Sequence, residues 1–144
     1  MKYWMSCLLL TLPFLSEAGG FQINTQSQKA TSMGGSVTGN ALDASVVFFN
    51  PGAMSVLDSN MVNFGATALM PRTAFLGTTG GQEDMKSKVF VPPYLYGVYM
   101  LDENSSLGIS VNAPYGLGTH WEDNWSGRYL STEAKLNTIF IQPA

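Results

Sequence analysis

One cysteine, one histidine and few charges narrow the chemistry open to this chain before any pattern is read. The cysteine, Cys7, falls inside an N-terminal stretch ordered like a secretion signal. Lys2 supplies a short basic region, Cys7 to Leu15 an apolar core, and Ser16-Glu17-Ala18 small residues at both recognition positions. Residues 1–18 are therefore expected to be a signal peptide cleaved after Ala18. The apolar core is interrupted by Pro13 and is too short to cross roughly 30 Å of hydrocarbon as an anchor. Cys7 also lacks the Leu-small-small approach of a lipoprotein signal. Without this segment the mature chain has no thiol for a disulfide, a metal or covalent catalysis. His120 and scattered carboxylates make no metal-ligand set. Charged residues are 12% of the chain and the net charge is −3, which excludes nucleic acid, a partner that needs clustered Lys and Arg. No apolar run after the signal is long enough for a transmembrane helix.

What is present points to strands. Aromatics make up 12% of the chain and glycines number 15. Low charge, glycine and aromatics without helical spans form the weak signature of a transmembrane β-barrel. Residues 19–57 are mostly Gly, Ser, Thr, Ala, Asn and Gln, too glycine-rich for a good helix and too irregular for a strand. Ala30 to Gly39 is small almost throughout, which allows close approach to a neighbouring backbone. Asn40 to Ser45 could open or make one helical turn before Val46-Val47-Phe48-Phe49, and Asn50-Pro51-Gly52 reads as a turn. A flexible linker would not carry Val46 to Phe49 and Met54, so the segment reads as a packed plug.

From Met61 the period changes to two. Val62, Phe64, Ala66, Ala68 and Met70 share one face, Asn63, Gly65, Thr67 and Leu69 the other, and Pro71 ends the strand. Arg72 to Lys88 reads as a polar, glycine-rich loop. Tyr94 to Leu101, entered through Pro92-Pro93, is a second strand, apolar on both faces and so ambiguous in facing. Asp102 to Ser105 is a tight turn. Leu107, Ile109, Val111 and Ala113 then alternate with Gly108, Ser110 and Asn112, an apolar-out, polar-in strand. Pro114 to Tyr129 reads as a long aromatic loop, and Thr132 to Ile141 as a fourth strand. One short turn between two longer loops matches the asymmetry of outer-membrane barrels.

No catalytic reading survives. His120 stands near Glu122, Asp123, Ser126 and Arg128, but a hydrolase needs such groups fixed on a rigid scaffold. Here they share one loop with two tryptophans, as solvated charges and aromatics do at a membrane interface. Gly77 to Gly81 lacks the Lys-Ser or Lys-Thr partner of a phosphate loop.

Four pieces of this sequence together resemble the outer-membrane long-chain fatty acid transporter family (the FadL family), which includes aromatic-hydrocarbon uptake proteins. Gly20-Phe21-Gln22 is similar to its mature N-terminus, and Met33-Gly34 to Gly39 with Asp43-Ala44-Ser45 to its hatch. Asn50-Pro51-Gly52-Ala53-Met54 resembles its Asn-Pro-Ala motif, with Gly52 intervening before Ala53. Asn112 to Thr119 with Trp125-Ser126-Gly127-Arg128-Tyr129 resembles its third strand and following loop.

The resemblance implies an all-β fold, a fourteen-stranded antiparallel transmembrane β-barrel with an irregular, partly helical N-terminal hatch. Residues 19–57 would be the hatch, and 58–144 the first four strands and their loops. It further implies passive, cofactor-free uptake of long-chain fatty acids or other hydrophobic small molecules, with lateral release into outer-membrane lipid, by a protein monomeric at full length. Gly20 and Phe21 would touch ligand, and Asn50, Pro51, Gly52 and Ala53 would hold the hatch. Asn112, Pro114, Tyr115 and Gly116 would form the kink through which substrate leaves. Proline lacks a ladder donor and Gly116 tolerates a bend, which suits a break there, although proline also simply ends strands. Four strands cannot close a barrel. The chain therefore reads as an N-terminal piece of a longer protein, or else as a transport-inactive chain with exposed strand edges.

Overall fold

The computed structural model describes residues 22–144 except residue 79. The signal segment 1–18 and the ligand contacts expected at Gly20 and Phe21 lie outside the described residues. Eight strands follow two short helices and a 3₁₀ helix. The helices are α1 (Gln28–Ser32) and α2 (Val46–Phe49), and the 3₁₀ helix spans Pro51–Val56. The strands are β1 (Met61–Ala66), β2 (Ala74–Leu76), β3 (Gln82–Asp84), β4 (Pro93–Met100), β5 (Ser106–Asn112), β6 (Gly118–His120), β7 (Glu133–Lys135) and β8 (Phe140–Pro143).

Four of them form one antiparallel sheet in the order β1-β4-β5-β8. Alternation along β1 and β5 falls as the sequence period requires: Val62 and Phe64 are 72% and 77% exposed on the outer face, while Ser110 and Asn112 are buried on the inner one. β4 resolves its ambiguity by burying Tyr94, Tyr96 and Val98 and exposing Leu95 and Tyr99. What decides the facing is a neighbour distant in sequence. Ala44, Val46, Val47, Met54 and Leu57 of the N-terminal segment form one apolar cluster with those three β4 residues.

Local chemistry shapes that segment. The Ser27 hydroxyl accepts the Ala30 N–H at 3.4 Å at the start of α1, and Gly34 and Gly35 end its last turn at φ 63° and 84°, values that favour glycine. The Asp43 carboxylate accepts the Ser45 N–H at 2.9 Å before α2. Pro51 opens the 3₁₀ helix, where its missing N–H is harmless. The segment meets the wall most closely at Gly108, whose position on β5 lies under Met54 and Val47.

The structure corrects four expectations. β1 does not run unbroken to Met70. Pro92 and Pro93 have no N–H to give, so the ladder thins after Ala66 to a 3.4 Å bond from Thr67 N to the Pro92 carbonyl, and recovers only at the Leu69–Phe90 bridge. The 72–88 loop contains the β2–β3 hairpin, closed by the Gly77 N–H on the Gly81 carbonyl at 2.8 Å. The aromatic loop after Pro114 contains β6, which pairs with β7. The expected fourth strand, Thr132 to Ile141, is therefore two strands, β7 in the loop ribbon and β8 in the main sheet.

Candidate functional site

The break between β8 and β7 lies opposite Pro114. Pairing of β5 with β8 reaches Asn112 opposite Phe140, and β6 with β7 resumes at Gly118 opposite Lys135. Six residues on one side face five on the other, so the gap is a bulge in which regular pairing lapses. Pro114 has no donor to contribute. Gly116 turns at φ 156°, and a Cβ there would stand 3.2 Å from the Leu136 carbonyl oxygen. Tyr115 spans the gap by a side chain: its N–H reaches Thr138 Oγ1 at 3.3 Å, and the Thr138 hydroxyl donates back to the Tyr115 carbonyl.

The N-terminal segment takes up the carbonyls that this gap releases. The Ile23 N–H donates to the Pro114 carbonyl at 2.8 Å. The Gln26 side-chain amide donates to the Ala113 carbonyl at 2.9 Å and to the Ile23 carbonyl at 3.1 Å. Gln26 is held in turn by the Tyr96 hydroxyl, which donates to its carbonyl at 2.7 Å, and Asn112 Nδ2 donates to that hydroxyl at 3.4 Å. Gln26, Tyr96 and Asn112 are all nearly inaccessible. A buried carbonyl left without a donor would be costly, so these bonds compensate the missing strand pairing. On the outer face of the same gap lies an apolar groove of about 380 Å³, with Val91, Pro93, Leu95, Val111, Ala113, Tyr115 and Ile139 in its lining.

The expected kink residues thus stand together at one interruption of the wall: Asn112, Pro114, Tyr115 and Gly116. Asn50, Pro51, Gly52 and Ala53 lie elsewhere, at the junction of α2 and the 3₁₀ helix. The Asn50 side chain donates to the Thr38 carbonyl at 2.7 Å, a bond within the N-terminal segment itself. Sequence reasoning missed Ile23, Gln26, Tyr96 and Thr138. The one available signal was a glutamine among small residues, and its partner is a backbone carbonyl that no motif reveals.

The loop around His120 is built for structure. Trp121 and Trp125 stack at 4.4 Å and 10°, Phe75 meets Trp125 edge-on at 5.5 Å, and Met85 completes a small buried cluster. Glu122 pairs with Lys86 at 3.0 Å, and the Ser126 N–H donates to the Glu83 carboxylate. The Glu133 carboxyl is held below its ordinary range, first by the hydrogen bond from Lys88 at 3.1 Å and then by that ammonium's charge. The groups a hydrolase would need to align are bonded to other partners. Among the described residues no cluster of His, Cys, Asp and Glu could hold a metal.

Residues 10–144 match the model of a family described as outer membrane protein transport protein (OMPP1/FadL/TodX). The chain is 31% identical over 115 residues to an outer membrane protein of Neisseria meningitidis serogroup B, covering 73% of this chain and 25% of that protein. It is 29% identical to a 47 kDa outer membrane protein of Pasteurella multocida, over 86% of this chain and 29% of the relative. It is 26% identical to the long-chain fatty acid transport protein of Escherichia coli K12, over 85% of this chain and 28% of the relative. The chain therefore spans less than a third of the length of these relatives. With a family match across nearly all its residues, this chain belongs to the OMPP1/FadL/TodX family of outer membrane transport proteins, and its place is the bacterial outer membrane.

Proposed function

We propose that this chain forms the hatch-bearing part of a passive outer-membrane channel for hydrophobic compounds, with long-chain fatty acids as the leading substrate. In this reading residues 19–57 plug the lumen of a β-barrel and the sheet is part of its wall. The interruption from Asn112 to Gly116 is the lateral exit into the membrane. One observation carries the reading: the carbonyls freed at the gap, those of Ala113 and Pro114, are bonded by Gln26 and Ile23 of the plug. Plug and exit then move as one hydrogen-bonded unit. Ligand that binds better to a displaced N-terminal strip would shift the population toward an open gap without covalent chemistry or cofactor.

The fatty acid comes from the relatives named as long-chain fatty acid transport proteins. The apolar groove outside the gap offers a released acyl chain a surface continuous with lipid. Gly20 and Phe21, immediately before Gln22, would contact the chain on the inner side, an apolar role suited to it. Asn50 to Ala53 would set the fold-back of the plug.

The test is uptake of labelled oleate into liposomes containing the protein. Flux above that of protein-free liposomes is expected, and its absence refutes the transport reading. Phe21→Ala should weaken oleate binding; unchanged affinity removes Phe21 from the site.

A further inference from the structure

A second cavity, of about 770 Å³, opens on the inner side of the sheet between the N-terminal segment and β8. Its size lies within the usual range for small-molecule sites, roughly 300–1,000 Å³. Phe48, Phe49 and Phe140 give it an aromatic floor, and the first two rings meet edge to face at 5.0 Å and 77°. Asn24, Thr25 and Gln142 give it a polar rim. None of its lining residues is charged. The segment's own Lys29 and Asp43 face each other at 3.7 Å.

Three buried polar atoms beside this cavity have no hydrogen-bond partner: Thr25 Oγ1, Ser110 Oγ and Asn112 Oδ1. Thr25 lines the cavity itself. Ser110 and Asn112 are the ladder partners of Gln142 and Phe140, and are 0% and 2% exposed. Two hydroxyls and an amide oxygen can both donate and accept, and no cation stands with them. Buried polar atoms without partners are destabilising, so a bound group that both donates and accepts would be favoured. A carboxylate can only accept. It would also bring a charge to a place with no counter-charge, which is strongly unfavourable.

We propose that this cavity binds uncharged amphiphiles, with an aromatic or alkyl body and a hydroxyl or un-ionised carboxyl head, in preference to carboxylate ions. The inference rests on the channel reading above and adds a selection by head group. A fatty acid would occupy this cavity as the neutral acid, and long-chain alcohols and phenols would be ligands in their own right.

The experiment is calorimetric titration of 1-decanol and of decanoate into the detergent-solubilised protein at about pH 8, where the acid is ionised. Decanol should bind at least about tenfold more tightly. Thr25→Val, which keeps the shape and removes one orphan hydroxyl, should narrow that ratio. Thr31→Lys, which adds an ammonium at an exposed lining position, should narrow or reverse it. Equal affinities, tighter decanoate, or a Thr25→Val variant with unaltered preference overturns the inference. Oleate flux in liposomes is measured in parallel. Flux without a preference for decanol removes the head-group selection alone, whereas the preference without flux removes the transport reading alone.

Discussion

Gly108 is where a single methyl group should report whether the N-terminal segment is docked on the wall. A Cβ there would overlap Met54 Sδ and stand 2.9 Å and 3.2 Å from the two γ-carbons of Val47. Methionine is unbranched and can swing aside, but Val47 is helical, fully buried and stiff at χ1. Overpacking of this kind costs about 1–3 kcal/mol. Gly108→Ala should fall at the low end and Gly108→Val at the high end. That range corresponds to roughly a 5- to 150-fold change in the balance between docked and undocked segment. Met54→Ala alone should cost about 2–5 kcal/mol by leaving a cavity.

The double variant separates contact from coincidence. If the alanine methyl at position 108 occupies space that the thioether vacates, the pair should cost less than the two single changes together, by roughly 0.5–3 kcal/mol. Any intrinsic preference of a strand for alanine over glycine is present in both arms and cancels. Urea unfolding of the protein in lipid vesicles, read by tryptophan fluorescence, gives the energies, and limited proteolysis across residues 22–57 reports the segment. Additivity to within about 0.5 kcal/mol would refute the docking.

Gln26→Leu should strand the buried carbonyls of Ile23 and Ala113, weakening the stitch by about 1–3 kcal/mol. It should show as faster leak of a hydrophobic dye through protein-containing liposomes, and an unchanged leak rate argues that Gln26 does not close the gap. Pro114→Ala restores an N–H worth about 1 kcal/mol when bonded, and should slow oleate release several-fold; an unaltered rate means that the proline only ends its strand. Trp125→Ala removes a stacked partner, an edge contact and the indole bond to the Ser131 carbonyl. About 3–5 kcal/mol of loop packing should go with it, seen as loss of the near-ultraviolet signal of the tryptophan pair; persistence of that signal counts against the stack. Lys88–Glu133 supplies a pH test of the same ribbon. Because the Glu133 carboxyl is depressed, its contribution is present above the ordinary glutamate range and is lost as pH falls through the lowered value. Proteolysis of residues 118–135 should rise on acidification, weakly because both groups are solvated, and Glu133→Gln should remove that dependence.

The legible parts of the sequence were those governed by short-range rules. Alternation fixed the faces of β1 and β5 because one row on each is polar or small. β4 was opaque because both its rows are apolar, and only the cluster of Val46, Val47, Met54 and Leu57 chooses between them. The kink residues could be located because Pro114 and Gly116 carry backbone constraints visible in isolation. The division of 132–141 could not, since a bulge depends on how two strands are offset. Gln26 was hidden for a related reason: its acceptor lies 87 positions away and is a main-chain oxygen.

The two interruptions of the main sheet have a joint mechanical consequence. Pro92-Pro93 loosens the seam between β1 and β4, and Ala113 to Gly116 loosens the seam between β5 and β8. By register these lie at the same level, since Pro93 faces Ala66 and Tyr94 faces Asn112. Between them, β4 and β5 are paired without a break from Tyr94 to Met100. The softest deformation of the sheet is therefore a rigid panel of two strands pivoting about its turn at Asp102 to Ser105. Both seams would widen together, and amide exchange should quicken on both sides of the panel while its own central ladder stays protected.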